Sequence, residues 1–144
     1  LLGSASLHIL ANNYQPLIGA LGNNMGQSAS QAHKFYEEVA NTKVVWIAIL
    51  DGEYLKFDIA ENKVSMPVWS SKSRIQRIKK LNVDTYSSLE AKELPWEEFL
   101  STVGEGLKQS GHLIGINLSG KNLTGYDRDI DGVCKSVAAY ASHT

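Results

Sequence analysis

A chain of 144 residues, 43% hydrophobic and 20% charged, is long enough to enclose one core and short for two, so a single domain is expected. Its formal net charge of -1 gives no whole-chain attraction to nucleic acid or to an acidic membrane surface, and any such partner needs a local patch. The single cysteine, Cys134, excludes an internal disulfide and an all-cysteine zinc site and suits a reducing cytoplasmic compartment; no stretch approaches the ~18 apolar residues of a membrane span.

Residues 1–24 mix two short apolar runs with Gly, Asn and Pro and lack the basic segment of a secretory leader. Met25 reads as a native start, which makes residues 1–27 an extension: an upstream remnant or a flexible arm ahead of a domain at 28–144. Ile9, Leu17, Ile18 and Leu21 then offer an apolar contact for a core edge or a partner. Ser28 to Asn41 carries Ala32, Phe35, Tyr36, Val39 and Ala40 at helical spacing, with Lys34, Glu37 and Glu38 on the other face and Ser28 or Ser30 placed to cap the first turn.

Lys43 to Trp69 reads as a three-stranded meander: KVVWIAIL, a DGE turn, YLKFDIA, an ENK turn, then VSMPVW. The first segment is apolar on both sides and should be central. In the second, Leu55, Phe57 and Ile59 alternate with Tyr54, Lys56 and Asp58, so one face is buried. Pro67 cannot donate to a ladder, which points the third toward a sheet edge or its own last rung.

From Ser70-Ser71 a second helix, SKSRIQRIKKL, has a thin apolar stripe of Ile75, Ile78 and Leu81 in a field of Lys72, Arg74, Arg77, Lys79 and Lys80. Asn82 to Leu94 lacks a clean period and fits a short edge strand or an irregular connector. Pro95 suits the first turn of a third helix, with Trp96, Phe99, Leu100, Val103 and Leu107 as its stripe and Ser110-Gly111 as its end. HLIGINL, residues 112–118, is a further strand; after the polar turn 119–122, Leu123-Thr124 gives a short rung. Tyr126 to Tyr140 is then expected to be the final helix, its first turn enriched by Asp127, Asp129 and Asp131, with Gly132 costing roughly 1 kcal/mol. The fold class is α+β: an antiparallel or mixed sheet built on the meander and packed against amphipathic helices.

The order of these segments resembles a known family. A helix ASQAHKFYEEVANTKVVW, a meander ending in MPVW, then LPWEEFLSTVGEGLKQSG, HLIGINL and a last helix look like the small bacterial family called domain of unknown function 2750. The likeness covers about 28–140 and is carried by Trp46, Pro67-Val68-Trp69, Trp96, Phe99 and Leu107 ahead of Gly111. PVW followed by a helix, and GINL followed by a turn and helix, are more loosely similar to the N-terminal domain of enhanced serine sensitivity protein B and to immunity-like proteins. These resemblances imply a mixed α+β layer and interaction functions, with no catalytic residues to carry over. The basic 72–80 segment and the short 119–122 loop depart from the closer family's pattern.

No chemical motif emerges. Cys134 with His112 could form a nucleophile and base, but Cys134 sits beside Val133 and Val137, where a free cysteine fills core. The three aspartates do not match a calcium loop, and His8, His33 and His143 are dispersed, so no metal, cofactor or catalytic set is assigned and enzyme is the weaker class. Trp69 with Tyr54 and Tyr86 could line a cleft for a small molecule or nucleotide, the discriminator being whether the indole is enclosed. The leading expectation is a non-enzymatic accessory protein that contacts an acidic protein surface through Lys72, Arg74, Arg77, Lys79 and Lys80. Small-molecule or nucleotide binding, nucleic-acid binding by the same helix and an immunity-like role are the alternatives; a homodimer is possible and a membrane partner is not expected.

Overall fold

The computed structural model describes residues 7–9 and 22–142, with side chains from residue 28 onward. In chain order these form β1 (Leu7–Ile9), α1 (Gly22–Thr42), β2 (Val44–Leu50), β3 (Glu53–Ala60), β4 (Lys63–Val68), α2 (Lys72–Leu81), α3 (Val83–Tyr86) and β5 (Glu90–Pro95). There follow α4 (Trp96–Phe99), a π-helical turn (Leu100–Gly104), α5 (Glu105–Ser110), β6 (Leu113–Ser119), β7 (Thr124–Arg128) and α6 (Ile130–Ala141). The α+β class is as expected: a mixed sheet in the order β5-β2-β3-β4-β6-β7, with β1 joined to β3. No helix among the described residues is long and apolar enough to cross a membrane.

The meander forms where its pattern put it. Asp51 and Gly52 take φ of 54° and 84°, the pair of left-handed residues that a tight hairpin needs to follow the twist of its strands. β2 and β3 pair only beside that turn, at Ile49–Tyr54 and Leu50–Glu53, and then part. β3 takes up β1 in parallel at Leu55 to Phe57, while β2 turns its start toward the end of β4: Trp46 and Trp69 exchange two backbone hydrogen bonds of 2.8 and 2.9 Å.

Both faces of the curled sheet are covered, as the doubly apolar β2 requires. On one side α1, α4, α5 and α6 bury Phe35, Val39, Val45, Ile47, Met66, Val68, Phe99, Ile114, Ile116 and Val133. On the other, α2 and α3 close over Ala48, Leu55, Phe57, Trp69, Ile75, Ile78, Leu89 and Leu118. Trp96 lies 5.7 Å from Phe99, nearly parallel, so the helix after Pro95 is anchored by a stacked aromatic pair.

Several local expectations give way to tertiary pairing. β4 is not an edge: β3 flanks it on one side and β6 runs parallel on the other, with Pro67 opposite Gly115. Pro67 shares its strand parity with Trp69, whose N–H points to β2, and the β3 ladder extends only to Phe57–Ser65. The absent donor therefore faces the gap where β2 and β3 separate, and no rung is lost. α1 starts at Gly22, so Ser28 and Ser30 lie inside it rather than at its cap. Leu81, counted in the α2 stripe, is 45% exposed. The helix expected over 126–140 starts only at Ile130, because Tyr126 and Arg128 are drawn into a ladder with Ile116 and Ile114, and Asp129 takes the N-cap position. Of the arm residues, Ile9 pairs with Phe57 in β1, whereas Leu17, Ile18 and Leu21 lie outside the described residues.

Lys56, on the expected open face of β3, is only 8% exposed, and burial lowers the pKa of its ammonium. Folding therefore carries a desolvation cost that is complete below the lowered pKa and fades as pH rises toward the ordinary 10.5. Lys56→Met is expected to raise the melting temperature by about 2 °C at pH 7, with a smaller gain at pH 10, as thermal unfolding at the two pH values would register.

Candidate functional site

The five cations expected on one helix all belong to α2, and the helix contains no acidic residue to balance them. Ile75 and Ile78 are buried against the sheet, Lys72, Arg77 and Lys80 are exposed, and Arg74 and Lys79 are half-buried. Arg74 is the member that the fold uses: its guanidinium stands 3.7 Å from Glu38 of α1, whose other oxygen accepts the Ser70 hydroxyl. The neighbouring edge strand β5 exposes Glu90, Lys92 and Glu93, charges that discourage strand addition there.

The structure does not bring Trp69, Tyr54 and Tyr86 together in a cleft. Trp69 is wholly enclosed and its Nε1–H donates to the Leu118 carbonyl at 2.8 Å, the environment of a core indole. Tyr86 is buried in the same cluster, and burial raises its phenol pKa. Tyr54 packs against the cluster on the opposite face. Cys134 rests half-buried against the α1 side of the core. Its thiol pKa is raised, chiefly by burial and further by Asp131 and Glu97, the reverse of what a ready nucleophile needs. The three aspartates are separated by role: Asp127 in β7, Asp129 at the N-cap and Asp131 in the first turn of α6, 3.3 Å from Lys108. Among the described residues no group of His, Cys, Asp and Glu is disposed to hold a metal ion.

A polar cleft that the sequence did not announce lies between α1, β7 and α6. Ala29, Ala32, His33 and Tyr36 line it from α1, Tyr126, Asp127 and Arg128 from β7, and Ser136 from α6, around about 480 Å³. Arg128 is its centre. One terminal nitrogen, Nη1, donates to the Tyr36 hydroxyl at 2.7 Å and to Ser136 Oγ at 2.8 Å, and the guanidinium lies 5.8 Å from the Tyr36 ring centroid. Gly132 makes this pose possible. A Cβ there would fall 2.7 Å from Asp129 Oδ1, 2.8 Å from Arg128 Nε and 3.1 Å from its Cζ, so the helix surrenders a side chain to let the Asp129 carboxylate and the Arg128 guanidinium lie across its first turn. At the mouth, His33 Nδ1 and the Tyr140 hydroxyl share a hydrogen bond. Asp127 alternates with Arg128 along β7 and is held from the far side, its Oδ1 accepting the Ser65 hydroxyl at 2.5 Å.

Each component was visible as a residue, but the site joins positions 36, 128 and 136 through tertiary contact. The one local sign was a glycine inside a helix, a choice that propensity alone disfavours.

Comparison with curated proteins and with solved structures gave no match. A family model does match: Protein of unknown function (DUF2750), over residues 32–135, a span from the middle of α1 to α6 that takes in the meander, the π-helical turn and the cleft residues Tyr36 and Arg128. The chain belongs to this DUF2750 family.

Proposed function

We propose that this domain is a non-enzymatic accessory factor that docks on an acidic surface of another protein through the exposed face of α2. The carrying observation is electrostatic. Lys72, exposed and without an ion pair among the described residues, occupies the first turn of a helix that has no acid there, the end at which the macrodipole favours negative charge. That arrangement costs the isolated helix stability, so a surface role accounts for it better than a folding role does. Lys72, Arg77 and Lys80 form no ion pair among the described residues, which leaves three charges for a partner. Complementary charge of this kind speeds encounter and sets orientation more than it adds affinity.

The test is cross-linked capture from native cell extract, comparing the wild type with Lys72→Glu/Arg77→Glu/Lys80→Glu, in which Arg74 and its contact with Glu38 are kept. A protein recovered by the wild type and lost from the variant, with the association weakening as salt rises, is the expected result. Identical recoveries would remove α2 as the interface. Material that disappears on nuclease treatment would move the reading to nucleic acid, where salt dependence should be steeper still.

A further inference from the structure

We infer that the cleft between α1, β7 and α6 is a binding site for a small molecule carrying a carboxylate, independently of any protein docked on α2. Arg128 has no counter-ion among the described residues: no carboxylate of theirs lies within 4 Å of its guanidinium. The further a cation is drawn out of water, the more it gains from an anionic partner, and Arg128 is half-buried. Here the guanidinium is instead fixed in place by two neutral hydroxyls, a tyrosine ring and a glycine that makes room for it. Such fixing leaves its other donors pre-arranged rather than satisfied.

The hydroxyls set the polarity of the rest of the site. Tyr36 and Ser136 each accept a proton from Nη1, so each has its own O–H proton left to donate. Asp127, also in the lining, turns its Oδ1 to the Ser65 hydroxyl, so Arg128, Tyr36 and Ser136 present donors and the matching ligand group is an anionic acceptor. A carboxylate suits this set better than a phosphate does. A carboxylate needs only the remaining donors of one guanidinium, Nη2 above all since Nε lies over Gly132, whereas a dianionic phosphate calls for further positive charge, which the lining offers only as His33, already bonded to Tyr140. Ala29 and Ala32 keep the α1 wall low and Tyr126 supplies a ring, so the remainder of the ligand is apolar and small enough for about 480 Å³.

The experiment titrates the full chain with butyrate, benzoate, benzamide and inorganic phosphate while NMR follows the Arg128 Nε–Hε resonance. A saturable shift with the carboxylates is expected, benzoate binding about tenfold more tightly than neutral benzamide or phosphate. Arg128→Gln should weaken benzoate by about tenfold or more, and Gly132→Ala, which leaves every ligand-facing group in the chain but crowds both the guanidinium and the Asp129 carboxylate, by several fold. The wild-type titration stands on its own should either variant fail to fold. No saturable movement of Arg128 with either carboxylate would overturn the inference. Benzamide or phosphate binding as tightly as benzoate, or a folded Arg128→Gln that holds benzoate unchanged, would do the same.

Discussion

Replacing Asn117 with alanine is expected to lower the free energy of unfolding by about 3 kcal/mol. Asn117 is fully buried in β6 at φ 46°, where the ladder to β7 breaks between Ile116 and Ser119. Its Oδ1 accepts the Ser70 backbone N–H at 2.9 Å, and its Nδ2 donates to the Gln31 carbonyl at 3.3 Å and to Ser70 Oγ at 3.0 Å. One side chain thus ties the exit of β4 to α1 across the sheet. Alanine strands the buried Ser70 N–H, at about 1–3 kcal/mol, and puts a Cβ without local hydrogen bonds into the left-handed region, at about 1 kcal/mol more. Asn117→Gly removes the second cost and should fall between the two. Asn117→Asp would aim a buried carboxylate at the Gln31 carbonyl and be relieved as pH falls and it protonates. Urea unfolding of the three variants would show whether this ordering holds.

Trp69→Ala is expected to cost more, about 4 kcal/mol. The indole is enclosed between α2 and the sheet, its Nε1–H satisfies the Leu118 carbonyl beside the β6 break, and its backbone closes β4 onto β2 through Trp46. Truncation leaves a cavity and an unpaired carbonyl together, whereas Trp69→Phe keeps most of the volume and loses mainly the hydrogen bond, for about 1–2 kcal/mol. Were Trp69 a ligand contact, the loss would appear in binding with stability nearly unchanged; denaturant midpoints for both variants separate the cases.

The sequence disclosed what depends on local period. The doubly apolar run 44–50 became a strand covered on both faces, and Trp96, Phe99, Val103 and Leu107 became the buried line of a helix. It misled where one local signal had two physical causes. Asp127, Asp129 and Asp131 resemble the acidic opening of a helix, yet Asp127 is a strand residue, because the ladder of Tyr126 and Arg128 with β6 outweighs helix-end electrostatics. Pro67 signals an edge only if its missing donor has to face a neighbour, and the parting of β2 and β3 removed that condition. The cleft was illegible for a simpler reason: no spacing in the chain relates Tyr36 to Arg128, and the contact exists only once β7 lies beneath α1.

The parallel pairing of β4 with β6 also fixes the order in which this chain can fold. The hairpins at Asp51-Gly52 and Glu61-Asn62 close over a few residues, so the meander is free to form and dissolve early and quickly. Its last strand, β4, however, gains its second neighbour only after α2, α3, β5 and the helix from Trp96 have been laid down, and the loop-closure entropy of that whole excursion is met before Met66 and Val68 find Ile114 and Ile116. During synthesis, β4 therefore waits with one flank open and the core face of α1 half covered until the last third of the chain has emerged.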